Sequence, residues 1–309
     1  MNTAEIQTVV QDWIDHQLLG EPEGFTALRQ EFVEQQLARC RRVLELIPDP
    51  PERGRLLELG AGVYVMTFLL EHFRNYDLEL VQYWNMPNGE YASVLVDQRT
   101  GQQRVLPFQQ FNAEVDMFPY PEASFDVILV CEIIEHLLSN PVHMLAECHR
   151  VLKPGGLVLL TTPNALRLSN VLGLLRGRNI YDRYYHDSLY ARHAREYSPE
   201  EVQRLFEEVG FHVTHLETLD VTGDTLSPWS RRLVHTLLGL TNLAARVQGQ
   251  QQPLATRWRH EQIFLVAERA GAVRHTLPDF LFQEPGLVPL LADAICQPRQ
   301  TVEAKSLSR

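Results

Sequence analysis

Apolar runs alternate with amphipathic segments along most of the chain, and this pattern predicts alternating strands and helices. Short apolar runs that end at glycine, proline or polar turns indicate buried strands, whereas apolar residues three or four positions apart indicate helices. The predicted strands lie within residues 55–62, 78–85, 125–130, 157–162, 211–221 and 261–268. Such alternation is typical of a doubly wound α/β sheet that is mostly parallel.

Two segments depart from this alternation. Residues 1–50 carry apolar residues at helical spacing and end at the proline-rich stretch 48–51, which predicts an N-terminal helical extension. Residues 92–108 form two apolar runs around a polar turn, which predicts a β-hairpin in place of the expected helix. Elsewhere, Asn140 before a proline and the capping pattern at Ser198 predict two helix starts.

Composition limits the partners and the compartment. The chain has 309 residues, of which 45% are hydrophobic and 22% charged, and its formal net charge is -11. An acidic chain repels polyanions, so nucleic acid is a disfavoured partner. No apolar run approaches the ~20 residues that span a bilayer, and the first residues lack the pattern of a signal peptide. The four cysteines are scattered, so we expect a cytoplasmic protein with reduced thiols.

A glycine turn follows the first predicted strand. The sequence ELGAG places Gly60 and Gly62 where a helix begins, and glycine there lets backbone amides approach a ligand closely. A tight turn that serves packing alone is the alternative. A dinucleotide fingerprint would need glycine at position 65, which is Val65, and an acid at the end of the second strand, which 82–85 lacks. The turn predicts a ligand site but disfavours a nicotinamide-dependent dehydrogenase.

The segment CEIIEHL, residues 131–137, gathers polar side chains where a strand ends. If a helix begins here, Glu132, Glu135 and His136 lie on one helix face. In one interpretation the two acids only stabilise the positive end of the helix dipole. In a second, all three side chains bind a divalent cation, with His193 as the fourth ligand. In a third the group transfers a proton without a metal.

Several motifs occur in a fixed order: LLELGAG, FPYPEASFDVILVCEIIEHL, RVLKPGGLVLLTTPN and REYSPEEVQRLFEEVGF. Over roughly residues 50–270 this series resembles the class I S-adenosylmethionine-dependent methyltransferases, type 11/23-like. The resemblance implies a Rossmann-like, seven-stranded sheet with an antiparallel last strand, and S-adenosylmethionine bound at the carboxyl ends of the first strands. The residues that it assigns to the cofactor are Glu58, Gly60, Ala61, Gly62, Asn85, Asn112, Ala113, Glu114, Val130 and Cys131.

The chain departs from the family pattern in two places. Position 64, which is often glycine in the family, is Tyr64 here and predicts a tighter wall of the pocket. No acid ends the second strand, so Asn85 or a neighbour would contact the cofactor's ribose without a charge.

The polar segment carries a second resemblance. Its E-x-x-E-H pattern with a distal histidine is similar to small-RNA 2′-O-methyltransferases, in which such residues bind magnesium, and to ubiquinone-biosynthesis O-methyltransferases. The resemblance implies a Mg²⁺ site formed by Glu132, Glu135, His136 and His193, and it makes His136 and His193 the candidate catalytic bases. The interpretation without a metal stays open.

Two insertions are candidates for recognising the methyl acceptor. The first, about residues 165–197, is rich in tyrosine, which suits sugar rings or aromatic substrates, although these aromatics could also pack among themselves. The second, about residues 222–258, contains an amphipathic stretch at 229–247 that predicts a lid, a homodimer seam or a core helix. We expect O-methylation of a hydroxyl on a sugar, glycan or natural-product small molecule. The alternatives are an RNA ribose 2′-O-methyltransferase and a non-catalytic S-adenosylmethionine-binding protein.

The predicted organisation has three parts. The N-terminal helical extension covers residues 1–50, and a methyltransferase domain with both insertions covers 51–270. A tail at 271–309 shows no clear periodicity.

Overall fold

The computed structural model describes residues 2–21, 25–184, 192–221, 229, 232, 233, 236, 239, 240 and 260–282. The chain divides into two compact units, Met1–His275 and Thr276–Arg309. All the helices and strands named below belong to the first unit. Most of the predicted tail at 271–309 lies outside the described residues.

Two of the six named helices, those that follow Asn140 and Ser198, begin at the capping residues that the sequence predicts. The named helices are α1 (Thr3–Asp15), α2 (Phe25–Leu46), α3 (Val65–Phe73), α4 (Pro141–Val151), α5 (Leu168–Leu175) and α6 (Pro199–Val209). Asn140 caps α4 by accepting hydrogen bonds from two backbone amides of its first turn. Ser198 and Glu201 form the predicted capping box of α6, and Gly210 follows its last residue.

The strands form one nine-stranded sheet in the order β1-β4-β5-β3-β2-β6-β7-β9-β8. Their bounds are β1 (His16–Leu18), β2 (Gly54–Leu59), β3 (Tyr76–Gln82), β4 (Gly89–Asp97), β5 (Gln103–Gln110), β6 (Phe125–Cys131), β7 (Leu152–Pro163), β8 (Phe211–Leu219) and β9 (Gln262–Arg269). Strands β5, β3, β2, β6 and β7 pair in parallel, whereas β9 is antiparallel to both of its neighbours. The doubly wound fold and the antiparallel last strand are therefore confirmed.

The sheet has nine strands where the resemblance implies seven. The two outermost strands at one edge are β1 and β4. Strand β4 forms the predicted hairpin with β5, and the short strand β1 pairs antiparallel with β4. Strand β1 has three residues, which is too short for an alternating pattern to be read from sequence. It covers the hydrogen-bonding edge that β4 would otherwise expose.

The N-terminal helices share a hydrophobic core with the sheet. Ile6, Trp13 and Leu44 belong to the same buried cluster as Leu56 and Leu129 of the central strands. Trp13 is 1% exposed, and its indole nitrogen donates a hydrogen bond of 2.5 Å to the carbonyl oxygen of Val63, in the turn before α3. Cys40 and Val43 of α2 line one cavity together with Gly60 and Gly62, so α2 also lies alongside the glycine turn.

The segment CEIIEHL does not begin a helix. Glu132 has a left-handed backbone conformation (φ 56°), and only the short 3₁₀ turn Ile134–His136 follows before α4 begins at Pro141. Since the left-handed residue redirects the chain, Glu132 does not share a helix face with Glu135 and His136. The predicted one-face arrangement is wrong.

Most of the second insertion, including most of the amphipathic stretch at 229–247, lies outside the described residues. Within the described part of the chain, none of the helices has both the length and the apolar composition that crossing a membrane requires.

Candidate active site

The glycine turn between β2 and α3 lies at the carboxyl end of the parallel strands. Gly60 has a φ of 72° and Gly62 a φ of 27°, which are conformations that side chains disfavour. A Cβ atom on Gly60 would lie 2.3 Å from Cδ1 of Ile133, so the turn is packed tightly against the loop after β6. A cavity opens on each side of this turn.

The smaller cavity, about 200 Å³, has mostly apolar walls. Trp84, Phe111 and Leu137 contribute flat or aliphatic surface, and Asn112 and Ala113 lie at the same wall. An apolar slot with a few polar groups suits a planar heterocycle. Asn112 and Ala113, two of the residues predicted to contact the cofactor, thus line this cavity.

The larger cavity, about 350 Å³, contains charged side chains. Arg39 of α2 lines it together with Glu58, Ala61, Cys131 and Glu132. Burial lowers the pKa of Arg39, but the surrounding acidic groups, Glu132 first among them, together outweigh burial, and the pKa of the guanidinium lies above its usual value. The residues of this cavity can bind a charged, amino-acid-like group.

Strand β3 ends with an uncharged polar side chain, Gln82, which forms hydrogen bonds with two aromatic residues. Gln82 is 3% exposed; its amide nitrogen donates to the hydroxyl of Tyr64, and its amide oxygen accepts from the indole of Trp84. The Tyr64 hydroxyl donates to Ser93 of the hairpin at 2.6 Å. Tyr64, which replaces the family's frequent glycine, thus connects the hairpin to the smaller cavity's wall.

Three of the predicted cofactor residues line neither cavity. Glu114 is 2% exposed, and its carboxylate accepts hydrogen bonds from the backbone amides of residues 138, 139 and 140. Asn85 accepts a hydrogen bond from the Tyr83 hydroxyl, and Val130 is fully buried in β6. Glu114 therefore holds two loops together instead of facing a ligand.

Glu58 is a buried acid near the end of β2, just before the glycine turn. It accepts a hydrogen bond of 2.8 Å from the hydroxyl of Thr67, yet burial raises its pKa to about 7. The folded state therefore favours the protonated form of this carboxyl across a pH range in which the unfolded chain would ionise it.

Stability should consequently fall as pH rises from about 4.5 to above 7, because the folded protein binds the Glu58 proton more tightly than the unfolded chain does. The contribution is on the order of 3 kcal/mol over that range. Glu58→Gln keeps a hydrogen-bond acceptor for Thr67 and removes the titration. Urea unfolding at pH 5 and pH 8 should show a smaller pH-dependent loss in the variant, and equal losses in both proteins would contradict the assignment.

Beyond the glycine turn, Glu135, His136 and His193 come together, with a potential ligand atom from each within 4.8 Å of the others. Glu135 is fully buried; its Oε2 accepts a hydrogen bond from Thr162 at 2.8 Å, and its Oε1 has no hydrogen-bond partner within the described structure. Burial, together with the charge of Glu132, raises the pKa of Glu135 well above its usual value.

Hydrogen bonds orient both histidines. His136 Nδ1 lies 3.1 Å from the carbonyl oxygen of Arg192, which can only accept, so Nδ1 carries a proton and Nε2 is the basic nitrogen of the neutral ring. His193 Nδ1 lies 3.2 Å from a carboxylate oxygen of Glu196. The two rings meet edge to face with centroids 5.1 Å apart.

Glu196 is a residue of the site that the sequence interpretation missed. Its carboxylate also accepts hydrogen bonds from Arg167 at 2.6 Å and Asn170 at 3.0 Å. Despite burial, its pKa is lowered to about 2 by His193, Arg167 and Asn170, and in turn it raises the pKa of His193. The sequence did contain a signal for this role, because Glu196 lies three positions after His193.

Glu132 does not join this group. Its Oε1 accepts hydrogen bonds from Thr161 at 2.8 Å and Gln262 at 2.5 Å, and it lies 3.8 Å from a guanidinium nitrogen of Arg39. The left-handed backbone at Glu132 aims the carboxylate toward the larger cavity. Of the four predicted metal ligands, the structure therefore brings three together.

The first insertion forms a third cavity, about 300 Å³, beside the histidines. Tyr181, Asp182, His193, Glu196 and Glu201 line it. Of the predicted tyrosine cluster, Tyr181 and Tyr184 are exposed, Tyr197 is buried, and Tyr185 and Tyr190 lie outside the described residues.

Comparison with known proteins identifies the family. A family model described as "Methyltransferase domain" (Methyltransf_23) matches residues 29–216, which is more than half of the chain. The chain belongs to this methyltransferase domain family, whose cofactor is S-adenosylmethionine. The resemblance inferred from the motif series is confirmed.

Curated relatives match over shorter stretches. A probable S-adenosylmethionine-dependent methyltransferase from Mycolicibacterium smegmatis is 37% identical over 95 residues, covering 31% of this chain and 32% of that protein. A ubiquinone biosynthesis O-methyltransferase from Thiobacillus denitrificans is 33% identical over 110 residues, covering 35% of this chain and 43% of that protein. The matches thus span less than half of either relative. A solved methyltransferase from Archaeoglobus fulgidus is 15% identical, covers 80% of this chain and all of that chain, and has a TM-score of 0.47.

The two cavities differ as the two ends of S-adenosylmethionine differ. The smaller is apolar, as the adenine end would require, and the larger carries charges of both signs, as the α-amino-acid end would require. Gly60 and Gly62 line both cavities, and because they have no side chains they leave the space between the two cavities open.

Proposed function

We propose that this protein methylates a hydroxyl group of a sugar, glycan or natural-product small molecule, with S-adenosylmethionine as the methyl donor. The observation that carries the proposal is the position of the histidine pair. His136 lines the apolar cavity beside the glycine turn, and His193 lines the third cavity in the insertion. An acceptor in the third cavity would therefore approach the donor across the two imidazoles.

The residues of the chain would orient the acceptor and receive its proton. The cofactor supplies an activated methyl group on a sulfonium, so the protein need only align the groups and remove the hydroxyl proton. His193 is the favoured base, because Glu196 fixes its Nδ1 and leaves Nε2 as the basic nitrogen. His136 is held in the same manner by the carbonyl oxygen of Arg192.

The lining of the third cavity supports a hydroxylated acceptor. Asp182, Glu196 and Glu201 present carboxylates, which accept hydrogen bonds from hydroxyl groups, and Tyr181 offers an exposed aromatic face that can stack on a sugar ring. These acids and the net charge of -11 disfavour an RNA acceptor.

As the alternative to proton transfer by a free imidazole, we propose that Glu135, His136 and His193 can hold a divalent metal beside the acceptor. The donor set fits a metal, because the three potential ligand atoms converge and a buried oxygen of Glu135 has no hydrogen-bond partner among the described residues. One carboxylate and two imidazoles suit Mn²⁺, Fe²⁺ or Zn²⁺ better than Mg²⁺, which prefers oxygen ligands. A metal there would acidify a coordinated hydroxyl.

If the metal site exists, Mn²⁺ should raise the melting temperature of the EDTA-treated protein by several degrees, and Mg²⁺ at equal concentration should have little effect. Glu135→Gln should remove the Mn²⁺ response, because it replaces a charged ligand with a neutral amide. Glu132→Gln is the matched control and should keep it. Identical responses in both variants, or none in the wild type, would favour proton transfer or a structural role.

The proposed function is tested by a panel of acceptors with radiolabelled S-adenosylmethionine. Glycosides, catechols and short RNAs with free 3′ ends should be offered separately, after a thermal-shift assay has established that the donor binds. We expect label transfer to glycosides or phenolic natural products. Transfer to RNA alone would replace the proposal with the ribose 2′-O-methyltransferase, and binding without transfer to any acceptor would favour a non-catalytic role.

A further inference from the structure

The larger cavity contains a cation that the proposed chemistry does not use. Arg39 lies in the N-terminal helix α2, its side chain is 9% exposed, and it is the one cation among the described residues that line this cavity. Burying a guanidinium is costly unless its charge is balanced and its donors are bonded. The contacts of Arg39 therefore indicate whether it has a structural partner or receives a ligand.

The described neighbours satisfy Arg39 only in part. Its Nε donates to Gln36 at 2.8 Å, and Nη1 lies 3.4 Å from the hydroxyl of Thr161. The distance to Glu132 is 3.8 Å, which is an ion pair without a hydrogen bond. Within the described residues no hydrogen bond uses Nη2. A guanidinium has five N–H donors, so Arg39 retains donors for a further acceptor on the cavity side.

The preferred partner of Glu132 lies elsewhere. Its Oε1 accepts from Thr161 and Gln262 at 2.8 and 2.5 Å, both much shorter than its distance to Arg39. A cation and an anion therefore line one cavity without a direct hydrogen bond between them. Such an arrangement complements a zwitterion, because a carboxylate can bind the guanidinium while the ammonium group of the same ligand lies near the acid.

We propose that Arg39 binds the carboxylate of the α-amino-acid end of the methyl donor, so that the N-terminal extension forms part of the cofactor site. The inference rests on the proposed function, since it takes S-adenosylmethionine as the ligand. It adds a specificity-determining residue on a helix that precedes the glycine turn in the chain. The competing explanation is that Arg39 only compensates the charge of Glu132.

Two nucleosides that differ in the amino-acid end separate these explanations. S-adenosylhomocysteine carries the α-amino acid, whereas 5′-methylthioadenosine lacks it and retains the adenosine. Arg39→Gln should weaken S-adenosylhomocysteine binding by about 10–100-fold in isothermal titration calorimetry, the range expected for lost charge-assisted hydrogen bonds. Binding of methylthioadenosine should change by less than about threefold. Arg39→Lys keeps the charge but loses the planar, bidentate guanidinium, so its affinity for S-adenosylhomocysteine should lie between those of the wild type and Arg39→Gln.

Arg42→Gln is the matched control. Arg42 lies one turn further along the same helix, pairs with Glu217 and Glu45, and does not line the cavity. It should leave both affinities unchanged.

Unchanged binding of S-adenosylhomocysteine by Arg39→Gln, or equal weakening of both nucleosides, would overturn the assignment of Arg39 and leave the proposed function standing. Failure of the wild-type protein to bind either nucleoside would overturn the proposed function together with this inference. If Arg39→Gln does not fold, the comparison of Arg39→Lys with the wild type decides by the same criteria.

Discussion

Gly60→Ala should destabilise the protein by about 2–5 kcal/mol and weaken binding of S-adenosylhomocysteine at least tenfold. A residue with a side chain at φ 72° costs about 1–2 kcal/mol. The new Cβ would also lie 2.3 Å from Cδ1 of Ile133, and forced repacking of this kind costs about 1–3 kcal/mol. Since Ile133 lines both cavities, its displacement narrows the cofactor site. Urea unfolding and calorimetry would measure the two effects.

Gly101→Ala separates backbone strain from the clash. Gly101, in the hairpin turn, has a φ of 73°, and a Cβ there would meet nothing within 4 Å. We expect only the conformational cost of about 1–2 kcal/mol and an unchanged affinity. Equal effects of the two substitutions on stability and on binding would show that the packing of Ile133 against the turn has no energetic role.

His193→Ala should lower kcat by about 10²–10⁴-fold on the acceptor that the panel identifies, because proton removal by a positioned base contributes on that scale. Binding of S-adenosylhomocysteine should be retained, since His193 lines neither of the two cofactor cavities. Initial-rate kinetics and calorimetry on the same preparations would establish both. His212→Ala, at an exposed position of β8, is the control and should leave kcat unchanged.

The pH profile distinguishes a base from a residue that only shapes the cavity. If neutral His193 accepts the proton, the rate should rise with pH through the His193 pKa, which the structure places above its usual value because of Glu196. Glu196→Gln removes that charge and should move the rising limb to lower pH. A profile that Glu196→Gln lowers uniformly, without shifting the limb, would contradict the assignment of the base.

The strand and helix order could be predicted because local patterns encode it. The central strands are continuous apolar runs, and α4 and α6 begin at Asn140 and Ser198, whose side chains satisfy the first backbone amides. The glycine turn was equally readable, since Gly60 and Gly62 adopt the conformations that glycine permits. These features depend on residues that are neighbours in the sequence.

Other features of the site depend on contacts between distant segments, and no local pattern reports them. The spacing of Glu132 and Glu135 suggested one helix face, but the left-handed backbone at Glu132 separates the two acids, and Glu132 lines the larger cavity whereas Glu135 lies with the two histidines. Arg39 meets Thr161 across 122 positions of sequence. Helical periodicity marks Arg39 only as a polar residue of α2, so its burial could not be read from the sequence.

The loop that carries His193 is anchored through main-chain atoms to the 3₁₀ turn Ile134–His136. The carbonyl oxygen of Glu135 accepts hydrogen bonds from the amides of Ala194 at 2.7 Å and Arg195 at 3.2 Å, and the carbonyl of Arg192 holds His136. Side chains at 192, 194 and 195 can therefore be exchanged without breaking these bonds. Libraries randomised at these three positions should yield variants with altered acceptor preference and an intact base, which makes this loop a suitable starting point for directed evolution.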